Sequence, residues 1–224
     1  MSESIFRTFV QQDAYRVGTE GGAVAVRANP RGEVVVPDWY TQLALDGRVY
    51  NISTSVQETG DLLGETAPGT NNVNPSILVD VPTGTTIIPI ELTVMAEGTG
   101  TSGDWTVIRM STDDTTRYSS GGASITPVNM RKDDPNTSSV SAYHGGTQVV
   151  ASANTDDDTI WYSSYDQGAF GAAGNKVQSW SARNGVPPVL IGPAALLVFV
   201  QVNNVDEEVL WSLKWAEFST TDVT

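Results

Sequence analysis

The spacing of apolar residues differs between two neighbouring segments near the end of the sequence. In residues 189–200 every residue except Gly192 and Pro193 is apolar, whereas in residues 209–215 an apolar residue recurs at every second position. As a helix, the first segment would extend only about 18 Å, too short for the roughly 30 Å of a membrane core, and the Gly-Pro pair would break it. It is therefore predicted to be a buried strand, and the alternating segment a strand with one apolar face. Together they are predicted to form a hairpin that closes a β core.

Short apolar segments separated by turn-forming residues recur along the rest of the chain, and long helical periodicity is absent. Pro89 lies inside one of them and predicts a bulge or an edge strand, because proline cannot donate to a β ladder. This pattern predicts an all-β protein with an antiparallel β-sandwich of jelly-roll type. The other predicted strands are residues 23–26, 33–36, 47–55, 76–81, 86–94, 105–110, 138–143, 148–151, 159–165 and 176–182.

The domain organisation follows from where the convincing strands begin. Residues 1–40 are predicted to form an N-terminal arm and hairpin, and residues 41–224 the main sandwich domain. The arm carries an apolar segment before any clear core element, and an apolar segment must be buried somewhere. We expect it to pack partly against another subunit; the alternative is that it covers its own sandwich. The residues of this predicted subunit interface are Ile5, Phe6, Phe9 and Val10, and the predicted core residues are Leu197, Phe199, Trp211 and Leu213.

The charge balance narrows the classes of partner. The chain has 26 acidic and 12 basic residues, for a net charge of −14. Proteins that coat nucleic acid neutralise phosphates with Lys and Arg, so direct binding of nucleic acid is not expected. The N-terminal sequence lacks the features of a signal peptide and no apolar segment is long enough to span a bilayer. These features predict a soluble protein made in the cytoplasm.

Common catalytic and metal-binding signatures fail when their context is considered. The chain has no cysteine and a single histidine, His144, so neither a thiolate site nor a histidine-rich metal site can form within one chain. His144 is predicted to lie in an exposed loop. A G-x-G-x-x-G match at residues 98–103 precedes a predicted strand, where a dinucleotide site needs a helix, so it is interpreted as a glycine turn. The protein is not expected to be an enzyme.

The acidic and aromatic clusters are also candidates for binding sites. The acidic pairs and triplet at residues 113–114, 133–134 and 156–158 lie between predicted strands without EF-hand spacing, so solvated turns are favoured over calcium. No cofactor is expected. Aromatic residues on one predicted strand, Trp161, Tyr162 and Tyr165, are candidates for stacking on a glycan.

The sequence resembles structural proteins of prokaryotic viruses. The resemblance covers roughly residues 45–218 and rests on the short strands, the Thr/Ser/Gly-rich loops and the pairing of VDVPTGTTIIPIELTV with PPVLIGPAALLVFVQV. It implies a jelly-roll capsid, decoration or tail-associated protein that self-assembles in the virion as a homo-oligomer with other virion proteins. The alternative is a carbohydrate- or receptor-binding sandwich module of a phage tail or surface protein. A glycan-active enzyme is a third, weaker hypothesis.

Overall fold

The described part of the chain is almost entirely β-structure. The computed structural model describes residues 38–53, 75–97, 105–144, 147–148, 158–166, 176–202 and 208–223. One α-helix, α1 (Trp39–Leu45), precedes the first strand, and two 3-10 turns span Ala182–Asn184 and Thr220–Asp222. The strands are β1 (Val49–Ser53), β2 (Ile77–Val81), β3 (Thr85–Glu97), β4 (Trp105–Asp113), β5 (Tyr118–Ser120), β6 (Ala123–Ile125), β7 (Val128–Asn129), β8 (Ser141–His144), β9 (Thr147–Gln148), β10 (Asp158–Asp166), β11 (Lys176–Ser181), β12 (Leu190–Ile191), β13 (Ala194–Val202) and β14 (Glu208–Ser219).

Two antiparallel sheets contain nearly all of these strands. Sheet I has the order β11-β3-β14-β1-β7, with β12 also paired to β3, and sheet II has the order β10-β4-β13-β2-β8-β6. The eight longest strands pair in a nested way: the first with the last, the second with the seventh, the third with the sixth and the fourth with the fifth. This nesting is a long antiparallel ribbon rolled into two sheets, which is the jelly-roll arrangement. The predicted all-β, antiparallel sandwich is confirmed.

The main core lies between the two sheets. Because side chains alternate between the two faces of a strand, every second residue of β14 lies on the inner face. There it contacts the inner residues of the neighbouring strands β3 and β1. Trp211 and Leu213 lie in this core as predicted, and both are buried. Other fully buried members are Ile52, Ile77, Val79, Ile87, Leu92, Ile108, Met110, Leu196, Val198 and Trp215.

Sheet II has a second apolar cluster on its outer face. Leu78, Ala195, Leu197 and Phe199 are buried there, away from the inter-sheet core. The ring of Tyr118 stacks on that of Tyr143 at 3.6 Å and packs against this cluster. Strand β13 is thus buried on both faces, which explains its unbroken apolar run. The predicted burial of Leu197 and Phe199 is confirmed.

Among the described residues, the outer face of sheet I has a buried apolar cluster at one end. There α1 packs Tyr40 against a small buried cluster that includes Val49 and Ala216. Beyond the helix the outer face is mixed: Lys214 Nζ donates to Glu91 Oε2 at 2.6 Å across β14 and β3, and the partly buried Met95 and Leu210 pair with each other. Strand β14 therefore buries one face over most of its length, as its alternation predicts.

Several predictions need correction. The predicted C-terminal hairpin is wrong: β13 pairs with β2 and β4 in sheet II, while β14 pairs with β1 and β3 in sheet I. Two consecutive strands with apolar faces can pair with each other or lie in facing sheets, and the apolar pattern does not distinguish these cases.

Pro89 does lie at a register shift, opposite Trp215, but β3 is an inner strand. His144 ends strand β8 and is half-buried, so it is not in an exposed loop. Residues 1–37 of the predicted arm, with its segments 23–26 and 33–36, lie outside the described residues, as does the segment 98–103.

Candidate interaction surface

A buried charged cluster fixes the chain where it leaves β4. Arg117 forms an ion pair with Asp113, and both side chains are buried. On the neighbouring strand β2, Asp80 accepts the backbone N–H groups of Arg117 at 2.8 Å and Tyr118 at 3.0 Å. Burial raises the pKa of Asp80 above its usual range, an effect that these hydrogen bonds partly offset. The charged groups of this cluster bind one another and the backbone of residues 117 and 118. The cluster therefore anchors Tyr118 over sheet II. Asp113 was predicted to lie in a solvated turn, and that prediction is wrong.

The adjacent carboxylates are placed differently. Asp114 and Asp158 are exposed, and among the described residues neither has an ion-pair partner. They line an open cleft of about 500 Å³ between the ends of β4 and β10 and the segment from Pro188 to Ile191. The cleft is also lined by apolar residues, of which Val189 and Ile191 are exposed. This cleft therefore combines apolar surface with two uncompensated negative charges.

The same segment belongs to one edge of sheet I, which we call the β12 edge and define by β11, β12 and the connection between them. Among the described strands, none pairs with β11 or β12 on the side away from β3. Four large apolar side chains are exposed along this edge, and Val186 is 98% exposed. The four residues are Val177, Val186, Val189 and Ile191. An edge with unpaired backbone groups and exposed apolar side chains is a template for pairing with another chain.

The β12 edge is held in place by close backbone packing. Gly192 donates its N–H to the Thr85 carbonyl at 2.9 Å. A Cβ atom at Gly192 would lie 2.1 Å from the Pro82 carbonyl oxygen, so only glycine fits without movement of the backbone. The position of Val189 and Ile191 is thus set by the turn between β2 and β3 and not by the side chains of the edge itself.

A second exposed apolar group lies at the opposite end of sheet I, on what we call the β7 edge. It consists of Val128 on β7, Met130 just after it, and the exposed residue Lys132. The backbone here is fixed, because Met130 N donates to the Val49 carbonyl at 2.8 Å and Asn129 Nδ2 donates to the Gly47 carbonyl at 2.9 Å. Among the described residues Lys132 has no ion-pair partner. Lys132 lies among Arg131, Asp133 and Asp134, so this edge presents apolar surface beside charges of both signs.

The two edges lie toward the same end of sheet I but are offset by a few residues along the strands. Strand β7 pairs with Tyr50 and Asn51, and β12 pairs with Thr86 and Ile87. The intervening register places Tyr50 opposite Trp215, and Trp215 opposite Pro89, so both short strands lie near the same end of sheet I. With four strand spacings of about 4.8 Å between β7 and β12, the edges are roughly 19 Å apart.

A polar cleft of about 420 Å³ lies at the same end, between β1, β14 and the 136–139 segment. Arg48 forms an ion pair with Asp222 at 2.9 Å and lies over the ring of Phe218, 5.3 Å from its centroid. Glu217 accepts from Ser138 Oγ at 2.6 Å and from the Ser139 N–H at 2.7 Å. Hydroxyl, amide and carboxylate groups beside an aromatic ring are the chemistry that binds a polar neutral ligand such as a sugar.

The aromatic residues predicted to contact glycan do not share one face. Trp161 pairs with Met110 and packs against the inter-sheet core, whereas Tyr162 pairs with Arg109 on the outer face and is 60% exposed. The side chain of Tyr165 lies outside the described residues, as do all four residues of the predicted N-terminal interface. For Tyr162, glycan stacking stays a prediction.

The two edges were not identified from the sequence. Their only local signal is the occurrence of apolar residues beside turn residues, as in residues 186–191 and 128–130, and such residues are usually buried. Exposure depends on which strands end the sheet, and that depends on the long-range pairing.

Comparison with protein-family models, curated proteins and solved structures finds no match to this chain. Within the part of the chain that the structure describes, no group of three or more acidic or histidine side chains is placed to hold a metal ion. None of the described helices is long and apolar enough to cross a membrane.

Proposed function

We propose that this protein is a virus structural protein that self-assembles into the virion of a prokaryotic virus, as a capsid or capsid-decoration subunit. One observation carries the proposal: the two opposite edges of a single jelly-roll sheet both expose apolar side chains. The resemblance of the sequence to virion proteins supplies the context, because the jelly roll by itself hosts many functions.

Exposed valine, isoleucine and methionine at sheet edges favour association over a monomeric state. Native monomers protect edge strands with charges, prolines or bulges, and here part of each edge is left apolar. Burial of this surface gains about 25 cal/mol per Å² removed from water. A net charge of −14 opposes non-specific clumping, so association is confined to surfaces where the charge is locally low or complementary.

The mass of the purified full-length chain in solution tests the proposal. Analytical ultracentrifugation over a hundredfold range of concentration, with electron microscopy of the largest species, should show a discrete multimer or a regular particle. A single monomeric species at every concentration would rule out self-assembly. The same preparations should be examined with phage-like particles of a candidate host, since a decoration subunit would bind a preformed shell.

The N-terminal segment offers an independent test. If Ile5, Phe6, Phe9 and Val10 bridge subunits, deletion of residues 1–12 should leave the melting temperature nearly unchanged but abolish the multimer. If instead they cover their own sandwich, the melting temperature should fall while the mass in solution stays the same. The second result would remove this segment from the proposed interface.

A carbohydrate- or receptor-binding module is the second candidate, and the polar cleft that contains Arg48, Phe218 and Asp222 favours it. Screening of the protein on a glycan array, followed by titration calorimetry of any hit, tests this function. A true cleft ligand should lose at least tenfold in affinity in Arg48→Ala. The matched control is Arg131→Ala, which removes another cation paired with an aspartate, 44% exposed against 31% for Arg48, that does not line the cleft.

A further inference from the structure

We propose that Asn184 is a site of spontaneous deamidation, in which the backbone nitrogen of Gly185 attacks the side-chain amide. Asn184-Gly185 is the only Asn-Gly dipeptide in the sequence, and it lies in the connection between β11 and β12. Asparagine is a thermally labile residue, and glycine hinders such an attack least because it has no side chain next to its nitrogen. The reaction would change the covalent structure of the β12 edge whether or not the protein assembles.

Both reacting groups are open to solvent and are not held by hydrogen bonds. Asn184 and Gly185 are exposed, and apart from its neighbours in the chain a Cβ atom at Gly185 would meet nothing within 4 Å. Neither the Gly185 N–H nor the Asn184 side chain bonds to any residue that the structure describes. The other 3-10 turn differs, because Val223 after it donates its N–H to the Thr220 carbonyl at 3.2 Å. The Gly185 nitrogen can therefore approach the amide without losing a hydrogen bond.

The dipeptide Asp46-Gly47 could form the same kind of ring, but the structure restrains it. There the glycine N–H donates to the Ala44 carbonyl at 3.1 Å, and the Asp46 carboxylate accepts from Gln42 Nε2 at 2.7 Å. Both the attacking nitrogen and the carboxyl group are thus engaged. Local structure therefore favours reaction at Asn184 over reaction at Asp46.

The reaction needs only the chain and water. The Gly185 nitrogen loses its proton and forms a bond to Cγ of Asn184, and the side-chain nitrogen leaves as ammonia. The product is a cyclic succinimide. Water then opens the ring at either carbonyl: cleavage of the bond to Cγ gives aspartate, and cleavage of the bond to the backbone carbonyl carbon gives isoaspartate. No atom is oxidised or reduced in either step.

The new carboxylate would lie beside a contact that holds α1. Arg183, the residue before Asn184, forms an ion pair with Asp38 at the start of α1 and lies over the ring of Tyr40, 4.8 Å from its centroid. A carboxylate at position 184 competes with Asp38 for this guanidinium, and isoaspartate also lengthens the main chain by one atom. Because the connection is exposed as far as Val186, its backbone can absorb this change while the sandwich stays folded.

Incubation of the purified full-length chain in mildly alkaline buffer tests the proposal. Native isoelectric focusing should show a more acidic species that grows with time, and peptide mass spectrometry should locate aspartate and isoaspartate at position 184. The rate should rise with pH, because the attacking nitrogen must lose its proton. The folded chain should react within about tenfold of the rate of the chain unfolded in urea, since no opening of the fold is needed to expose the dipeptide.

Gly185→Ala is the matched variant. Gly185 has an extended backbone, with φ −175° and ψ −171°, that any residue adopts, so the melting temperature should be unchanged. The added methyl group crowds the nitrogen, and acid formation at position 184 should slow at least several-fold. Asn184→Asp marks the focusing position of the aspartate product. Asn136, which is exposed but followed by Thr137, and Asp46 are internal controls that should stay unmodified over the same period.

Two results would overturn the proposal. If residue 184 stays asparagine in the folded chain while the chain in urea converts, the fold protects the dipeptide. If Gly185→Ala converts as fast as the unaltered chain, the backbone nitrogen of residue 185 is not the nucleophile. Neither result bears on self-assembly, which the mass in solution tests separately.

Discussion

The outer faces of the two sheets are built in opposite ways. On sheet II, Leu78, Leu197 and Phe199 are buried beneath the stacked rings of Tyr118 and Tyr143. On sheet I, once they pass the helix α1, the strands β14 and β3 present Lys214 and Glu91 together with the partly buried Met95 and Leu210. Within the described residues, sheet II thus has a buried apolar cluster on each face, whereas sheet I has an extended one only on its inner face.

This difference shows what the period of an apolar pattern measures. A strand with one buried face alternates, and a strand with two buried faces reads as a continuous apolar run. Residues 209–215 and 194–200 show the two cases in consecutive strands of one protein. The pattern therefore reports the number of covered faces but not which element covers them.

The largest effects should come from removing a side chain of either apolar layer. Leu213→Ala removes a fully buried residue from between the sheets and should cost about 2 to 5 kcal/mol in free energy of unfolding; Phe199→Ala on the outer face should cost about 3 to 5 kcal/mol. Urea denaturation measures both. If Phe199→Ala costs less than about 1 kcal/mol, the outer cluster is not a core, and the comparison between the sheets fails.

An intermediate effect is expected from the polar anchor that holds Tyr118 over sheet II. Asp80→Ala removes the acceptor for two backbone N–H groups and should cost roughly 1 to 3 kcal/mol. It should also release Tyr118, which near-ultraviolet circular dichroism would detect as a loss of tyrosine signal. An unchanged spectrum with unchanged stability would show that the tyrosine stack stands without the anchor.

The same carboxyl gives a pH dependence with a definite sign. Burial raises the folded-state pKa of Asp80 above its ordinary value of 3.8, so the folded protein holds this proton more tightly than the unfolded chain. The contribution of the group to stability is therefore fully present below pH 3.8 and is lost as pH rises through the raised pKa. The free energy of unfolding relative to Asp80→Asn should fall over that window. A difference that rises with pH would contradict the assignment.

The smallest effect should be found on the polar face of sheet I. Lys214 and Glu91 are each about one-third exposed, and an ion pair so open to solvent contributes at most about 1 kcal/mol. Lys214→Ala should therefore shift the urea midpoint only slightly, and less at high salt. A loss comparable to that of Phe199→Ala would mean that this face is covered in solution.

Much of the fold could be predicted from local pattern alone. Every described strand longer than four residues overlaps a predicted strand, and the burial of Leu197, Phe199, Trp211 and Leu213 is confirmed. The helix α1 was not predicted, because seven residues provide too few turns for a helical period to emerge from the sequence. The sheet assignment of β13 and β14 was wrong, since it depends on pairings with strands more than a hundred residues away.

The candidate surfaces were less predictable for the same reason. Val189 and Lys132 lie in two connections and match no motif. Their placement at opposite edges of one sheet follows only from the long-range strand pairing. The acidic pair at Asp113 and Asp114 illustrates the limit further. Adjacent in sequence, one carboxylate is buried against Arg117 and the other faces solvent. The composition of this pair does not predict which of the two aspartates is buried.

The nested strand pairing has a consequence for the order of events during synthesis. Among the described strands, β14 lies between β3 and β1, and β7 pairs only with β1, so the pairing that joins β7 to β3 runs through a strand more than 70 residues later in the sequence than β7. Contacts so distant in sequence make folding slow, and they cannot form before the ribosome has translated through Ser219. A nascent or truncated chain would therefore lack a finished β7 edge. If assembly uses this edge, a growing particle would admit only chains translated as far as β14, so the topology itself would act as a quality check.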